Sequence, residues 1–386
     1  SYVGTAYTFS IEPSRIKGFV WGVNTDGALG QNQGPSQLGN VSSPVQIPSA
    51  QGNDWNHLES FRESGFGTKT DGTLWTWGSN SFGALGQNSS ANVHKSSPIQ
   101  IPGTTWSAVG NGGRHQSYHV KTDGTLWSWG YNGSGHLGQN NIVKYSSPVQ
   151  VGSDTTWSKT QTGAYKPIAA GRDSFAATKT DGTLWTCGAG GPGMLANNNR
   201  ISLSSPVQVP GTTWRNMSCG FRYTIACKTD GTLWGWGSNN QTGDLAQNNL
   251  TNYSSPVQIP GTTWKYVTSC GYGNGATKTD GTLWTWGNNE HGRLGLNEND
   301  VHRSSPTQVP GTTWDIVGST EKSMYAIKTD GTLWAWGYNY YGRLGQNSTS
   351  PGVSSPVQVG SDADWSSIQS NSYSSAVMGL RDDQTP

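Results

Sequence analysis

Apolar residues recur in this chain as short alternating runs, and the runs return about every fifty residues. One unit shows the pattern. Trp314-Asp315-Ile316-Val317 predicts a first strand, A, and Met324-Tyr325-Ala326-Ile327-Lys328 a second, B. Asp330-Gly331 then predicts a tight hairpin of type I′, in which both central residues take positive φ. Strand C follows as Thr332-Leu333-Trp334-Ala335-Trp336, and strand D as Pro356-Val357-Gln358-Val359. Proline at the start of D suits an outer edge, where the ladder needs no N–H. Period-two alternation puts Trp334 and Trp336 on one face of C and Leu333 and Ala335 on the other.

The repetition is close to literal. KTDGTLW occurs six times, starting at Lys69, Lys121, Lys179, Lys228, Lys278 and Lys328. The element SSP occurs seven times, each copy followed by a Trp: Trp55, Trp106, Trp157, Trp214, Trp264, Trp314 and Trp365. The missing seventh KTDGTLW is split between the chain ends. Gly18-Phe19-Val20-Trp21-Gly22 supplies a C strand, and Ser375-Ala376-Val377-Met378 supplies a B strand. The expected architecture is all-β: a seven-bladed β-propeller of four-stranded antiparallel blades, one blade closed by both termini. The propeller is expected over 18–381, with an N-terminal arm at 1–17 and a tail at 382–386. Tyr7-Thr8-Phe9-Ser10-Ile11 alternates, so the arm is read either as a strand on its own propeller or as an arm for a partner or neighbouring copy.

The run Trp334-Ala335-Trp336-Gly337-Tyr338-Asn339, with Gly342-Arg343-Leu344-Gly345 after it, resembles the regulator of chromosome condensation repeat. The likeness extends from about Gly18 to Arg381 and implies a seven-bladed propeller. Unit four departs from it, with Cys187 for the second Trp and Ala196-Asn197 for Gly-Gln, and unit five has Ala246 for the second Gly. This fold hosts exchange factors, inhibitors, adhesins and plain scaffolds, so function has to be argued from the site.

Composition narrows the function classes. Net charge is +1 and only 12% of residues are charged, with no basic stripe, so a nucleic-acid partner is not expected. No apolar run is long enough for membrane insertion. The repeated Asp is explained by its turn, and no Ser/His/Asp or Cys/His set recurs, so neither an enzyme nor a catalytic residue is expected. No spacing suggests a metal site or a cofactor. The four Cys read either as buried thiols or as a Cys219–Cys227 or Cys219–Cys270 bridge. All 19 Trp belong to the framework, which leaves none for a sugar platform.

What remains is binding. Loops B–C and D–A emerge on one face and are nearly invariant, as Thr-Asp-Gly-Thr and Pro-Gly-Thr-Thr. Loops A–B and C–D emerge on the other face and carry the diversity. Tyr and Arg combine large area with few rotors or a rigid donor fork, so the partner-binding candidates there are Phe82, Tyr131, His136, Glu290, His291, Arg293, Tyr338, Tyr340, Tyr341 and Arg343. A longer Trp-to-Lys spacing in unit four, 22 against 14, predicts a protruding A–B loop at 158–167, the sole candidate for the family's wedge. The first functional reading is a non-catalytic attachment propeller, a virion component such as a phage tail or decoration protein, or a cell-surface adhesin. It would bind a protein or surface receptor outside the cell, with self-assembly through the N-terminal arm left open. The alternative is an intracellular, cytoplasmic partner-binding regulator, such as a guanine-nucleotide exchange factor for a small GTPase.

Overall fold

The computed structural model describes residues 15–383 apart from 49–52, 90–91, 160–164, 240–241 and 370. The alternating segment at 7–11 lies outside the described residues. Seven four-stranded antiparallel sheets form the ring. Blades two to seven span 55–101, 106–150, 157–209, 214–259, 264–309 and 314–358. Blade one joins the chain ends. Strands β1 (Arg15–Gly22) and β2 (Val41–Gln46) pair with β27 (Trp365–Ile368) and β28 (Ala376–Asp383) in the order β2-β1-β28-β27. The β1–β28 ladder runs from Arg15↔Asp383 to Gly22↔Ala376. Its N-terminal strand therefore begins at Arg15, and its C-terminal strand runs through Asp382 and Asp383.

The hairpin joining B to C differs from the type I′ expectation. Glycine alone takes positive φ, +80° at Gly72 and +79° at Gly331, and the Asp before it does not. Lys69 N–H donates to the Thr73 carbonyl and Gly72 N–H to the Lys69 carbonyl, which is a type I turn closed by a glycine bulge. The Asp carboxylate is occupied instead: Asp71 Oδ1 accepts from the Thr73 N–H at 3.0 Å and its hydroxyl at 2.7 Å. A Cβ on Gly72 would lie 2.2 Å from the Thr104 carbonyl oxygen, so the position admits only glycine.

Tryptophans fasten each blade to the next. The second Trp of strand C donates its indole N–H to a carbonyl in the preceding blade's C–D loop: Trp77 to Ala28, Trp129 to Ala84, Trp236 to Met194, Trp286 to Asp244, Trp336 to Arg293. Trp21 closes the ring by donating to the Arg343 carbonyl at 2.7 Å. Cys187, standing where that Trp belongs, reaches the His136 carbonyl with its thiol at 3.3 Å. The repeated Lys is framework as well. Lys328 Nζ sits 4.8 Å from the Trp314 ring and 4.1 Å from the Trp334 ring, and Lys69, Lys121, Lys179, Lys228 and Lys278 repeat the arrangement. The four cysteines are free and buried.

Strand A of every blade faces the central channel, and described residues of two irregular segments reach into it. The unit-four insertion is one, and it corrects the expectation of a protruding A–B loop. Trp157 bridges Lys179, and the Thr178 N–H donates to the Pro167 carbonyl. In blade seven only Asp315 separates the equivalent pairs, Trp314↔Lys328 and Ile316↔Ile327. The chain therefore leaves at the start of strand A, near the invariant face, and the described residues 165–167 lie on the channel side. Lys166 Nζ donates to Glu59 Oε2 of blade two at 2.6 Å, and Lys166 N–H to Asn216 Oδ1 of blade five at 3.0 Å. The Tyr165 ring meets Tyr266 of blade six at 4.7 Å and lies under Arg215. The second segment is the A–B loop of blade one. Ser372 Oγ donates to the Cys219 carbonyl, Asn371 Nδ2 to the Gly112 carbonyl and Tyr373 OH to the Phe221 carbonyl. It thus spans the opposite end of the channel.

Candidate functional site

The variable face presents an outer rim of C–D loops and an inner mouth of A–B hairpin tips. The rim loops are held by one Asn in every blade but the fourth, where Gly190 stands at that position. Asn339 Oδ1 accepts from the Leu344 N–H at 2.9 Å, and its Nδ2 donates to the Ser348 carbonyl at 3.1 Å. Asn80, Asn132, Asn239 and Asn289 hold Leu85, Leu137, Leu245 and Leu294 in the same way. Four loop tips are single 3-10 turns, Thr25–Gly27, Ser81–Gly83, Glu290–Gly292 and Tyr340–Gly342. Their central residues are Asp26, Phe82, His291 and Tyr341, at φ of +55°, +60°, +61° and +71°, and the last three are bulky. A bulky side chain in the left-handed region is strained, and here each one is also solvent-facing.

The sequence candidates divide by depth. Tyr340 and Tyr341 are about half exposed, 54% and 44%. Tyr340 stacks on half-buried Tyr338 at 5.4 Å and 10°, and His291 packs on the other side of the cluster, 4.7 Å from Tyr338. Glu290 is exposed at the same corner. Burial, with Arg293 and Lys322 nearby, holds the His291 imidazole below its usual range. Phe82 is exposed on blade two and touches His115 and Tyr131, each at 5.0 Å. His136, Arg293 and Arg343 do not present a surface. His136 is fully buried against the Tyr131 carbonyl, and burial pushes it down to about 4. Arg293 and Arg343 are 2% and 5% exposed. Arg293 anchors on Glu290 at 3.3 Å, Arg343 lies 5.7 Å from the Tyr338 ring, and both carbonyls receive indole N–H groups. These three support the rim from beneath. Sequence spacing names the loop but gives no direction for a side chain in it.

A buried carboxyl underlies the neighbouring loop. Asp244 of blade five accepts from Thr242 Oγ1 at 2.6 Å, and burial outweighs that bond and the pull of Arg293, raising its pKa to about 7. The unfolded group ionises near 3.8, so between about pH 4 and pH 7 the folded protein holds a proton that the unfolded chain releases. This group's cost is therefore absent below about pH 4, grows as pH rises and is complete above about pH 7. Asp244→Asn keeps an acceptor for Thr242 and removes the charge. We expect it to melt like the wild type at pH 4 and higher than the wild type at pH 8, by calorimetry at both values. Equal melting at pH 8 would show that Asp244 is ionised at no cost.

The inner mouth was not anticipated from the sequence. The N–H of the residue that follows strand C's final glycine donates to a tip carbonyl in each blade: Ser79 to Glu63, Tyr131 to His115, Ala189 to Asp173, Ser238 to Arg222, Asn288 to Tyr272, Tyr338 to Lys322, Val23 to Ser375. These bonds align the tips. The residue before each acceptor is Arg62, Arg114, Arg172, Phe221, Gly271, Glu321 and Ser374 in turn. Arg62, Glu63, Arg114, Arg172, Phe221, Tyr272, Glu321, Tyr373 and Ser375 line one depression of about 380 Å³ over the blade-one loop that caps the channel. A signal was present: in blades two to seven the tip lies seven residues before the repeated Lys, as Arg62 does before Lys69. Among the described residues no cluster of His, Cys, Asp and Glu could hold a metal ion.

The profile of a family described as RCC1-like domain matches residues 17–379. The ultraviolet-B receptor UVR8 of Arabidopsis thaliana is 26% identical over 217 residues, which are 53% of this chain and 46% of the receptor, so the match spans about half of that protein's length. Among solved structures, Prp20p of Saccharomyces cerevisiae superposes with a TM-score of 0.82 at 16% identity, covering 97% of this chain and 93% of that one. Human WBSCR16 superposes with a TM-score of 0.80 at 20% identity, covering 96% and 100%. At these identities the structures establish the propeller and nothing finer. The profile match over nearly the whole chain, together with the seven-bladed ring and its closing blade, places the protein in the RCC1-like domain family.

Proposed function

We propose that this propeller is a non-catalytic regulator that docks a protein partner on its variable face, over the rim of blades six and seven. The observation that carries the reading is the set of aromatic and imidazole side chains held at positive φ, facing solvent, on loop tips that buried Asn residues make rigid. Strain retained at exposed positions on a stable scaffold is a mark of use. The relatives support protein partners. One is named as a receptor, Prp20p is described by its binding to Gsp1p and histones, and a further structure holds yeast RCC1 with Kap60. They favour a partner-binding regulator over the virion or adhesin role. Four buried free thiols suit a reducing, intracellular compartment. Nucleotide exchange on a small GTPase is the most specific form of this reading. The insertion at 158–167 was the candidate for a wedge, and its described ends turn into the channel. With the described ends of the insertion inside the channel, the function inferred is docking alone.

The test is the double variant Tyr340→Ser/Tyr341→Ser. Quantitative affinity purification should recover a partner with the wild-type protein and at least about tenfold less with the variant, the effect of losing about 1.4 kcal/mol of interface. The melting temperature should be unchanged, since neither ring is buried. Equal recovery would rule out the rim as the docking surface. Accelerated nucleotide release from a recovered GTPase would restore the exchange-factor reading.

A further inference from the structure

The channel mouth has a chemistry of its own. Three successive blades place arginine at the same hairpin-tip station, Arg62, Arg114 and Arg172, and Arg62 is held there at φ +47°. Across the depression, Phe221 meets Tyr272 edge-on at 4.7 Å and Tyr373 at 4.8 Å, which makes an aromatic shelf. The shelf is fixed by the Tyr373 hydroxyl bonded to the Phe221 carbonyl at 3.2 Å. The positive side is incompletely balanced. Arg62 has Glu63 at 3.8 Å and Arg172 has Asp173 at 3.4 Å, while Arg114 has no partner for its guanidinium among the described residues. The neighbouring His115 accords with this. Its imidazole is pushed down to about 4, first by burial and then by Arg62 and Arg114.

We infer that the mouth is a receptor for an acidic segment of a protein partner, one that carries an aromatic or aliphatic residue beside its carboxylates. The inference rests on the variable face being the partner-binding face. Guanidinium forks bind carboxylates bidentately, and the rigid shelf offers the apolar neighbour a surface at little ordering cost. The mouth is capped below by the blade-one loop, so a ligand lies in it and does not thread the ring. Glu63 and Asp173 lie beside two of the arginines and Glu321 shares the depression, so a continuous polyphosphate would meet three carboxylates, whereas a peptide can place its own charges between them.

The experiment uses fluorescence anisotropy on the full chain, with a labelled peptide Glu-Glu-Phe-Glu-Glu as probe. Its Gln counterpart and a short single-stranded DNA are comparisons. Saturable binding to the wild type that weakens with salt is expected, with the Gln peptide and the DNA each weaker than the probe. Arg114→Gln should weaken the probe about tenfold, and this variant breaks no ion pair of the fold. The triple variant Arg62→Gln/Arg114→Gln/Arg172→Gln should abolish saturation. Tyr340→Ser/Tyr341→Ser should bind the probe like the wild type, so the mouth and the rim are read out on separate variants. Loss of partner capture by that rim variant with normal probe binding leaves both readings standing, and failure of the probe alone sinks only this one. The inference is overturned if the wild type shows no binding up to about 1 mM. It is overturned equally if Arg114→Gln or the triple variant binds unchanged, if the Gln peptide or the DNA binds as well as the probe, or if the rim variant loses the probe.

Discussion

Removal of residues 371–386 is expected to unfold the propeller or lower its melting temperature by more than about 10 °C. The deletion takes away strand β28, which pairs with β1 from Arg15↔Asp383 to Gly22↔Ala376 and is the second strand of the closing blade. It also removes the buried side chains of Val377, Met378 and Leu380. At roughly 1.5–3 kcal/mol for each large apolar side chain returned to water, the direct loss is on the order of 5 kcal/mol. That is comparable to the whole stability of many domains, about 5–15 kcal/mol. The remaining edge of β1 would also be open to association with other chains. Met378→Ala, expected to cost about 2–5 kcal/mol, is the milder arm. Unchanged melting of the deletion by calorimetry would contradict closure of the ring by both termini.

Replacing Lys166 with Met is expected to destabilise the fold by about 3–5 kcal/mol. Lys166 comes from the inserted segment of blade four and reaches Glu59, which is fully buried on the inner strand of blade two. Met fills similar space but removes the ammonium at 2.6 Å, and leaves against the carboxylate His57 at 3.7 Å, an imidazole that burial pushes down to about 3. Losing one partner of a buried pair costs more than the pair itself contributes. The double variant Lys166→Met/Glu59→Gln should recover most of the loss, because both charges then leave together. Chemical denaturation of the two variants and the wild type checks this. A wild-type midpoint for Lys166→Met would mean that the insertion presents itself to solvent and does not bridge the channel.

The architecture could be read from the chain because each blade repeats the same local signals. Strand alternation, the Asp-Gly turn, the edge proline of strand D and the split seventh copy each point to the same ring, and the pairing of 18–22 with the C-terminus follows from them. The details that escaped share a cause. Asp-Gly specifies a tight turn, but the choice between two positive φ angles and a type I turn with a glycine bulge depends on the carboxylate binding Thr73 and its equivalents. Extra residues between Trp157 and Lys179 reveal an insertion, but they do not say on which side of strand A it leaves. Loop composition found Tyr340, Tyr341 and Phe82 on the rim, because exposed aromatics stand out in a polar loop. It also drew in His136, Arg293 and Arg343, whose side chains fold beneath the loops. The arginines of the mouth carried a positional signal, the fixed distance to the repeated Lys, yet their convergence exists only once seven hairpins meet at one axis.

The variable face is the docking surface proposed for partners. Site-specific photo-crosslinking tests it most directly, with a photoreactive phenylalanine placed singly at Phe82, Tyr341, Asp280 and Asp330. The first two stand on exposed rim tips, and the last two on the invariant B–C hairpins of the opposite face. A partner is expected to be captured from position 82 or 341 and from neither 280 nor 330. Capture from 280 or 330, with none from the rim, would contradict it.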